Sequence, residues 1–167
     1  DTQAAARLGM DTASGPGLLA MQGGFEPDER DNGKWPPGFK VQGNHYCEYL
    51  RAHGYGGDNP WHDHANSSLG EDGTLHSGWQ LRWAREPARV ASEHSETPYM
   101  TRRAMDFITE QGNQPWVLHL SYIKPHWPYV APAPYHALYG PQDVLPAQRS
   151  AAEKMDPHPV YAGFMRN

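Results

Sequence analysis

Over residues 95–112, SETPYMTRRAMDFITEQG, polar and apolar positions alternate with a helical period. Met100, Ala104, Phe107 and Ile108 fall at i, i+4, i+7 and i+8 and make one apolar stripe, with Arg102, Arg103, Asp106 and Glu110 on the other side. The spacing predicts a helix with Thr97 as N-cap, Pro98 in the first helical position and Gly112 just past the end. A short turn, Asn113-Gln114-Pro115, leads into residues 116–122, WVLHLSY. Val117, Leu118 and Leu120 are nearly consecutive, as in a strand covered on both faces. The apolar run breaks off at Ile123, and a proline-dense loop follows that presents Lys124, His126, Trp127 and Tyr129. Helix, tight turn and doubly buried strand form half of a βαβ unit, so the expected class is α/β with a mostly parallel sheet. With one convincing buried strand in the chain, the other strands are expected from sequence outside it.

The rest of the pattern is weaker. Residues 1–38 show no sustained period and are punctuated by Gly15-Pro16-Gly17, Gly23-Gly24 and Pro36-Pro37-Gly38, which predicts loops with at most short elements. Residues 44–53 fit a short helix, with Tyr46, Tyr49, Leu50 and His53 on one face and Gly54 as a left-handed cap. Residues 54–78 return to glycine, asparagine and aspartate and are expected as an extended surface loop. Pro87 argues against a helix through residues 79–90. One or two helical turns are expected at 134–139, and a weak helix at 148–156. The division that follows is a loop-rich excursion (1–92), a helix–strand–loop unit (93–145) and the start of a further helical region (146–167).

Composition changes this picture in one respect. The chain has 167 residues, the size of one ordinary domain, but 17 Gly and 16 Pro make up about a fifth of it and 38% of residues are hydrophobic. Six Trp, nine Tyr and four Phe argue for a folded chain all the same. Neither Asp1 nor the closing residues 164–167 read as a natural boundary, so a piece of a larger protein is expected. A net charge of −5 with no Lys/Arg stripe argues against a nucleic-acid surface. No apolar run approaches the roughly 18 residues of a membrane span. The single Cys47 excludes an internal disulfide and any cysteine-based zinc site.

The chemistry on offer centres on the loop. His126 lies between Pro125 and Trp127-Pro128, which is expected to hold its backbone close to extended. An imidazole fixed past a strand can donate to an anion or protonate a leaving group near neutral pH; it can equally pack on Trp127. Lys124, two residues earlier, is expected on the same side, where a cation would suit a phosphate or sulfate ester; the plain alternative is a solvated lysine. Trp127 and Tyr129 can wall a pocket or cover the sheet end. His62-Asp63-His64 carries metal-ligating types without a further ligand at recognisable spacing, so a polar surface loop is expected and no metal site. His119 reads as a hydrogen-bonded core histidine, Cys47 as a packing residue. Asn66-Ser67-Ser68 matches a glycosylation acceptor, a pattern too common to count.

Residues 119–144, HLSYIKPHWPYVAPAPYHALYGPQDV, closely resemble the central region of bacterial sulfatases, in the branch that contains phosphonate monoester hydrolases. Gly23-Gly24-Phe25-Glu26-Pro27, the segment SEHSETPYMTRRAMDFI (92–108) and His158-Pro159 with Phe164 agree in order. The resemblance implies an alkaline-phosphatase-like three-layer sandwich, present only in part. It implies hydrolysis of sulfate monoesters, phosphonate monoesters or phosphate diesters by a formylglycine nucleophile with a divalent metal of the calcium or manganese class. His126 takes the place of the histidine that contacts the ester and assists the leaving group; Lys124, Trp127 and Tyr129 are the candidate substrate-binding residues. The CxPxR-type, DD-type and SDHG-type segments of such enzymes are absent, so the chain alone is expected to bind no catalytic metal and to be inactive. The expected partners are a small-molecule ester and the remainder of the same domain, with a homo-oligomer open. No motif decides the compartment, the cytoplasm being slightly favoured over the periplasm. Two rivals stand beside this reading. One is a phosphodiesterase or phosphoglycerol transferase of the same superfamily with a Ser or Thr nucleophile. The other is a non-catalytic anion- or carbohydrate-binding module.

Overall fold

Asn44 begins the first well-packed element. Its side-chain Oδ1 accepts the Cys47 N–H at 2.9 Å, which satisfies one of the orphan amides of a helix start. The structure, a computed structural model, describes residues 7–164 apart from positions 13, 32, 34, 147 and 149; Asp1 and residues 165–167, on which expectations about the chain ends rested, lie outside them. In chain order the helices are α1 (Gly15–Met21), α2 (His45–Ala52), α3 (Glu96–Gln111), α4 (Ala151–Met155) and α5 (Pro159–Phe164). One small sheet pairs β1 (Ser67–Leu69) with β2 (Leu75–Ser77), and short 3₁₀ turns link the rest.

Helix α2 sends Tyr46, Cys47 and Leu50 inward, all fully buried. They pack with Val41, Trp61, Ala65, Ala88, Val90, Tyr99 and Val130 into one apolar cluster, edged by Trp35, Tyr49, Tyr55, Trp79 and Met100. The core therefore draws on both sides of position 92. Residues 54–78, expected as a surface loop, contain some of its most buried parts. A π-helical turn (Trp61–Ala65) places Trp61 at the centre, and the chain then enters β1 with Asn66, Ser67 and Ser68 wholly enclosed. Strands β1 and β2 pair antiparallel, with Ser68 opposite His76, across a loop in which Asp72 accepts both the amide and hydroxyl of Thr74. This burial also excludes Asn66 as a glycosylation acceptor, which must reach solvent.

Residues 88–90 fasten the hairpin region to the later loop. Ala88 N donates to Ala131 O, Arg89 N to Ser67 O and Val90 N to His64 O, at 2.9 to 3.0 Å. Gly78 sits where these pieces converge: a Cβ there would meet Asn66 O at 2.4 Å and a Val130 methyl at 2.6 Å. Only glycine allows the loop ending at Val130 to press so closely on Asn66.

Helix α3 forms as predicted but starts earlier. Ser95 occupies the N-cap position and Pro98 lies inside the first turn rather than at its first residue. The first four amides of a helix have no intrahelical acceptor, so proline there removes no bond. Gly112 closes the helix at φ +55°. Residues 116–122 depart further from expectation. They form no helix, turn, bend or strand, and no parallel sheet is present among the described residues. Val117 is 77% exposed and Trp116 44%, instead of buried on both faces. A strand requires a ladder partner for its amides and carbonyls, and the described residues offer this segment none. His119, expected in a core, is exposed against the Phe25 ring, 5.6 Å between centroids.

Candidate active site

The loop 123–128 is a compact turn. His126 N donates to Ile123 O at 2.8 Å, and the Lys124–Pro125 and Trp127–Pro128 peptide bonds are cis. The backbone at His126 is thus part of a turn and not the extended run that flanking prolines suggested. The turn sends Lys124 and His126 in different directions. His126 is exposed; its Nδ1 bonds to the Trp127 carbonyl. A carbonyl can only accept, so Nδ1 carries the proton and Nε2 is the ring nitrogen left for a ligand.

Lys124 turns inward. Its Nζ donates to Asn66 Oδ1 at 2.6 Å and to Pro128 O at 2.9 Å, and lies 4.0 Å from Glu96 Oε2. Burial pulls the Lys124 ammonium below its ordinary pKa, against the attraction of Glu96 and Asp31. Glu96, the first residue of α3, is 6% exposed and accepts the Trp61 indole N–H at 2.8 Å. Burial first and the neighbouring Asp31 carboxylate second push its carboxyl up to about 7; Lys124 and the Trp61 bond oppose this. Both shifts favour neutral forms, the sign expected when desolvation outweighs a loose ion pair.

A cavity of about 800 Å³ opens beside this network. Lys124, His126, Tyr129, Glu93, Glu96 and Tyr135 supply its polar groups, and prolines 98, 125, 128 and 132 much of its wall. Tyr129, 56% exposed, stands on this wall. Trp127 does not line the cavity: its ring meets Trp79 edge-on at 4.5 Å, and Trp79 in turn lies tilted against Trp61. Three loop residues predicted from sequence, Lys124, His126 and Tyr129, therefore line one space, with Trp127 turned away. Glu96 and Asn66 were missed, because nothing local marks a helix-start glutamate or a loop asparagine as buried.

Cys47 is enclosed in α2 and burial pushes its thiol up to about 11, which suits packing and not nucleophilic attack. His62 is buried between Asp63 Oδ1 (2.8 Å) and Ser77 Oγ (3.0 Å), while His64 Nε2 meets Gly56 O. The His62–His64 segment is thus part of the folded body and not a surface loop, with both rings engaged. Among the described residues no group of three or more His, Cys, Asp or Glu is placed to hold a metal ion. Among them, too, no helix is long and apolar enough to cross a membrane.

Over part of its length the chain is similar to hydrolases of the alkaline phosphatase superfamily, in the branch of the phosphonate monoester hydrolases. It is 41% identical over 83 residues to the multifunctional alkaline phosphatase superfamily protein PehA of Trinickia caryophylli, which covers 48% of this chain and 16% of that protein. Its fold is similar to the solved phosphonate monoester hydrolase SpPMH from Silicibacter pomeroyi, with a TM-score of 0.53 and 30% identity over 72% of this chain and 23% of that one. The chain thus spans less than a quarter of the length of either relative. No family model matches it.

Proposed function

We propose that this chain supplies the ester-facing loop of a phosphonate-monoester-hydrolase-like enzyme. The observation that carries the reading is His126, held by a turn on the wall of the cavity with Nε2 unengaged among the described residues, in a chain similar to such a hydrolase over 72% of its length. The proposed substrates are small sulfate monoesters, phosphonate monoesters or phosphate diesters. Protonated on both ring nitrogens, His126 would donate from Nε2 to an ester oxygen and pass that proton to the leaving group, while its Nδ1–H on the Trp127 carbonyl holds the ring orientation. The residues described here do not fit a metal site and Cys47 does not fit a formylglycine precursor. The metal ligands and the formylglycine nucleophile, with further strands of the sheet, would come from the remainder of the same enzyme domain.

The test is His126→Ala in the full-length protein, assayed on a sulfate monoester, a phosphonate monoester and a phosphate diester. Loss of one such contact is expected to lower kcat by roughly 10²–10³ on whichever ester is turned over. Unchanged kcat and KM would remove His126 from the chemistry and the reading with it.

A further inference from the structure

We propose that Lys124 is a positioning residue for His126 and not a ligand of the ester. The inference rests on the hydrolase reading for its kinetic part and on the loop geometry alone for its structural part.

An ammonium has three N–H donors. Two of those of Lys124 are engaged, by Asn66 Oδ1 at 2.6 Å and Pro128 O at 2.9 Å, and Glu96 Oε2 stands 4.0 Å away as an ion-pair partner beyond hydrogen-bond length. Two of the three donors are thus committed within the protein. The two acceptors and the ion-pair partner come from three places, the entry to β1, the far end of the loop and the first turn of α3. Lys124 therefore joins both ends of the segment that carries His126 to two buried anchors. Asn66 is fully enclosed, held from behind by its own amide on Trp61 O and its carbonyl under Gly78 N. Glu96 is fixed by Trp61 Nε1.

The loop needs such a fastening. Pro125 and Pro128 have no N–H, so the segment has few amides with which to close on itself. Its one internal backbone bond is His126 N to Ile123 O. The Lys124 to Pro128 bond closes the other half, with His126 between. The imidazole is then aimed by a side chain that does not touch it, through the loop both share.

The experiment compares wild type with Lys124→Met in the full-length protein, reading hydrogen exchange at the His126 amide and kinetics on an aryl phosphonate monoester. With the clamp removed, the His126 amide is expected to exchange roughly tenfold faster or more, since hydrogen bonds to a charged donor are among the stronger ones. In turnover, kcat is expected to fall while KM stays within about twofold, the sign of an interaction lost from the transition state only. An unchanged exchange rate would overturn the clamp, and so would a rise in KM larger than the fall in kcat, which marks a direct anion contact. Lys124→Met leaves Glu96 without its cation, so the double variant Lys124→Met/Glu96→Gln is read in the same way if the single one fails to fold. Failure of His126→Ala to affect turnover would sink the hydrolase reading while the exchange result still decides the clamp.

Discussion

A glutamate in the first turn of a helix gains from the amide dipoles and ordinarily also from water. Glu96 has the first and not the second, being 6% exposed with Asp31 nearby, and its carboxyl is pushed up to about 7 from an ordinary 4.5. The folded state then holds a proton that the unfolded chain releases. Its stabilising contribution is fully present below about pH 4.5 and is lost as pH rises through about 7. Urea unfolding at about pH 5 and about pH 8 should show a decline in stability with a component that Glu96→Gln removes, since an amide cannot titrate. If the variant declines as steeply as wild type, Glu96 is not the titrating group. The same residue scale holds the part of the site hardest to read beforehand. His126 and Tyr129 stand in a motif, whereas the role of Lys124 depends on Asn66, 58 positions away, and on Glu96. Two residues of apparently solvated type turned out to anchor a third, and no local pattern carries that information.

Elements with local causes were legible. Helix α2 follows from the apolar spacing of Tyr46 and Leu50, and Asn44 starts it by accepting the Cys47 amide at 2.9 Å. Asn44→Ala is expected to cost about 1 kcal/mol of stability, somewhat more if the buried site stays unfilled, measured as a shift in the unfolding midpoint at constant m-value. A change within error would mean that the cap is satisfied another way. Helix α3 was equally plain, but its start shifted to Ser95 because Thr97 and Ser95 are both acceptable caps and proline is tolerated throughout the first turn. The π-helical turn and hairpin over residues 61–77 were illegible for the opposite reason. Asn66, Ser67 and Ser68 have the composition of a surface loop, and their burial comes from distant partners: Lys124, the Glu86 carboxylate on Ser68 Oγ and the Arg89 amide on Ser67 O. Composition reports what a segment can expose, not what is packed over it.

At the scale of the molecule, two apolar surfaces stand without cover among the described residues. Residues 116–122 form no helix, turn or strand, with Val117 77% and Tyr122 40% exposed, and beside them α3 leaves Met105 60% and Ile108 43% exposed. One side of the segment is already engaged, through Trp116 edge-on to Phe107 and His119 against Phe25. Apolar side chains on a backbone with unmatched amides are what a sheet strand presents before its neighbours arrive. The hydrolase reading supplies those neighbours from the rest of the enzyme, which in the similar solved structure is more than three quarters of the chain. Hydrogen exchange of the 167-residue chain alone, set against the full-length protein, separates this from a loop that is simply exposed. If strands flank the segment, the amides of Val117, Leu118, His119 and Leu120 should slow by roughly 100-fold or more in the longer protein, the signature of passing from open to ladder-bonded backbone. The amides of Leu50 and Arg51 in α2 already have intrahelical acceptors and should change far less. Equal, fast exchange at 117–120 in both proteins would leave the segment outside any sheet, and with it the α/β architecture on which the placement of His126 at a strand end depends.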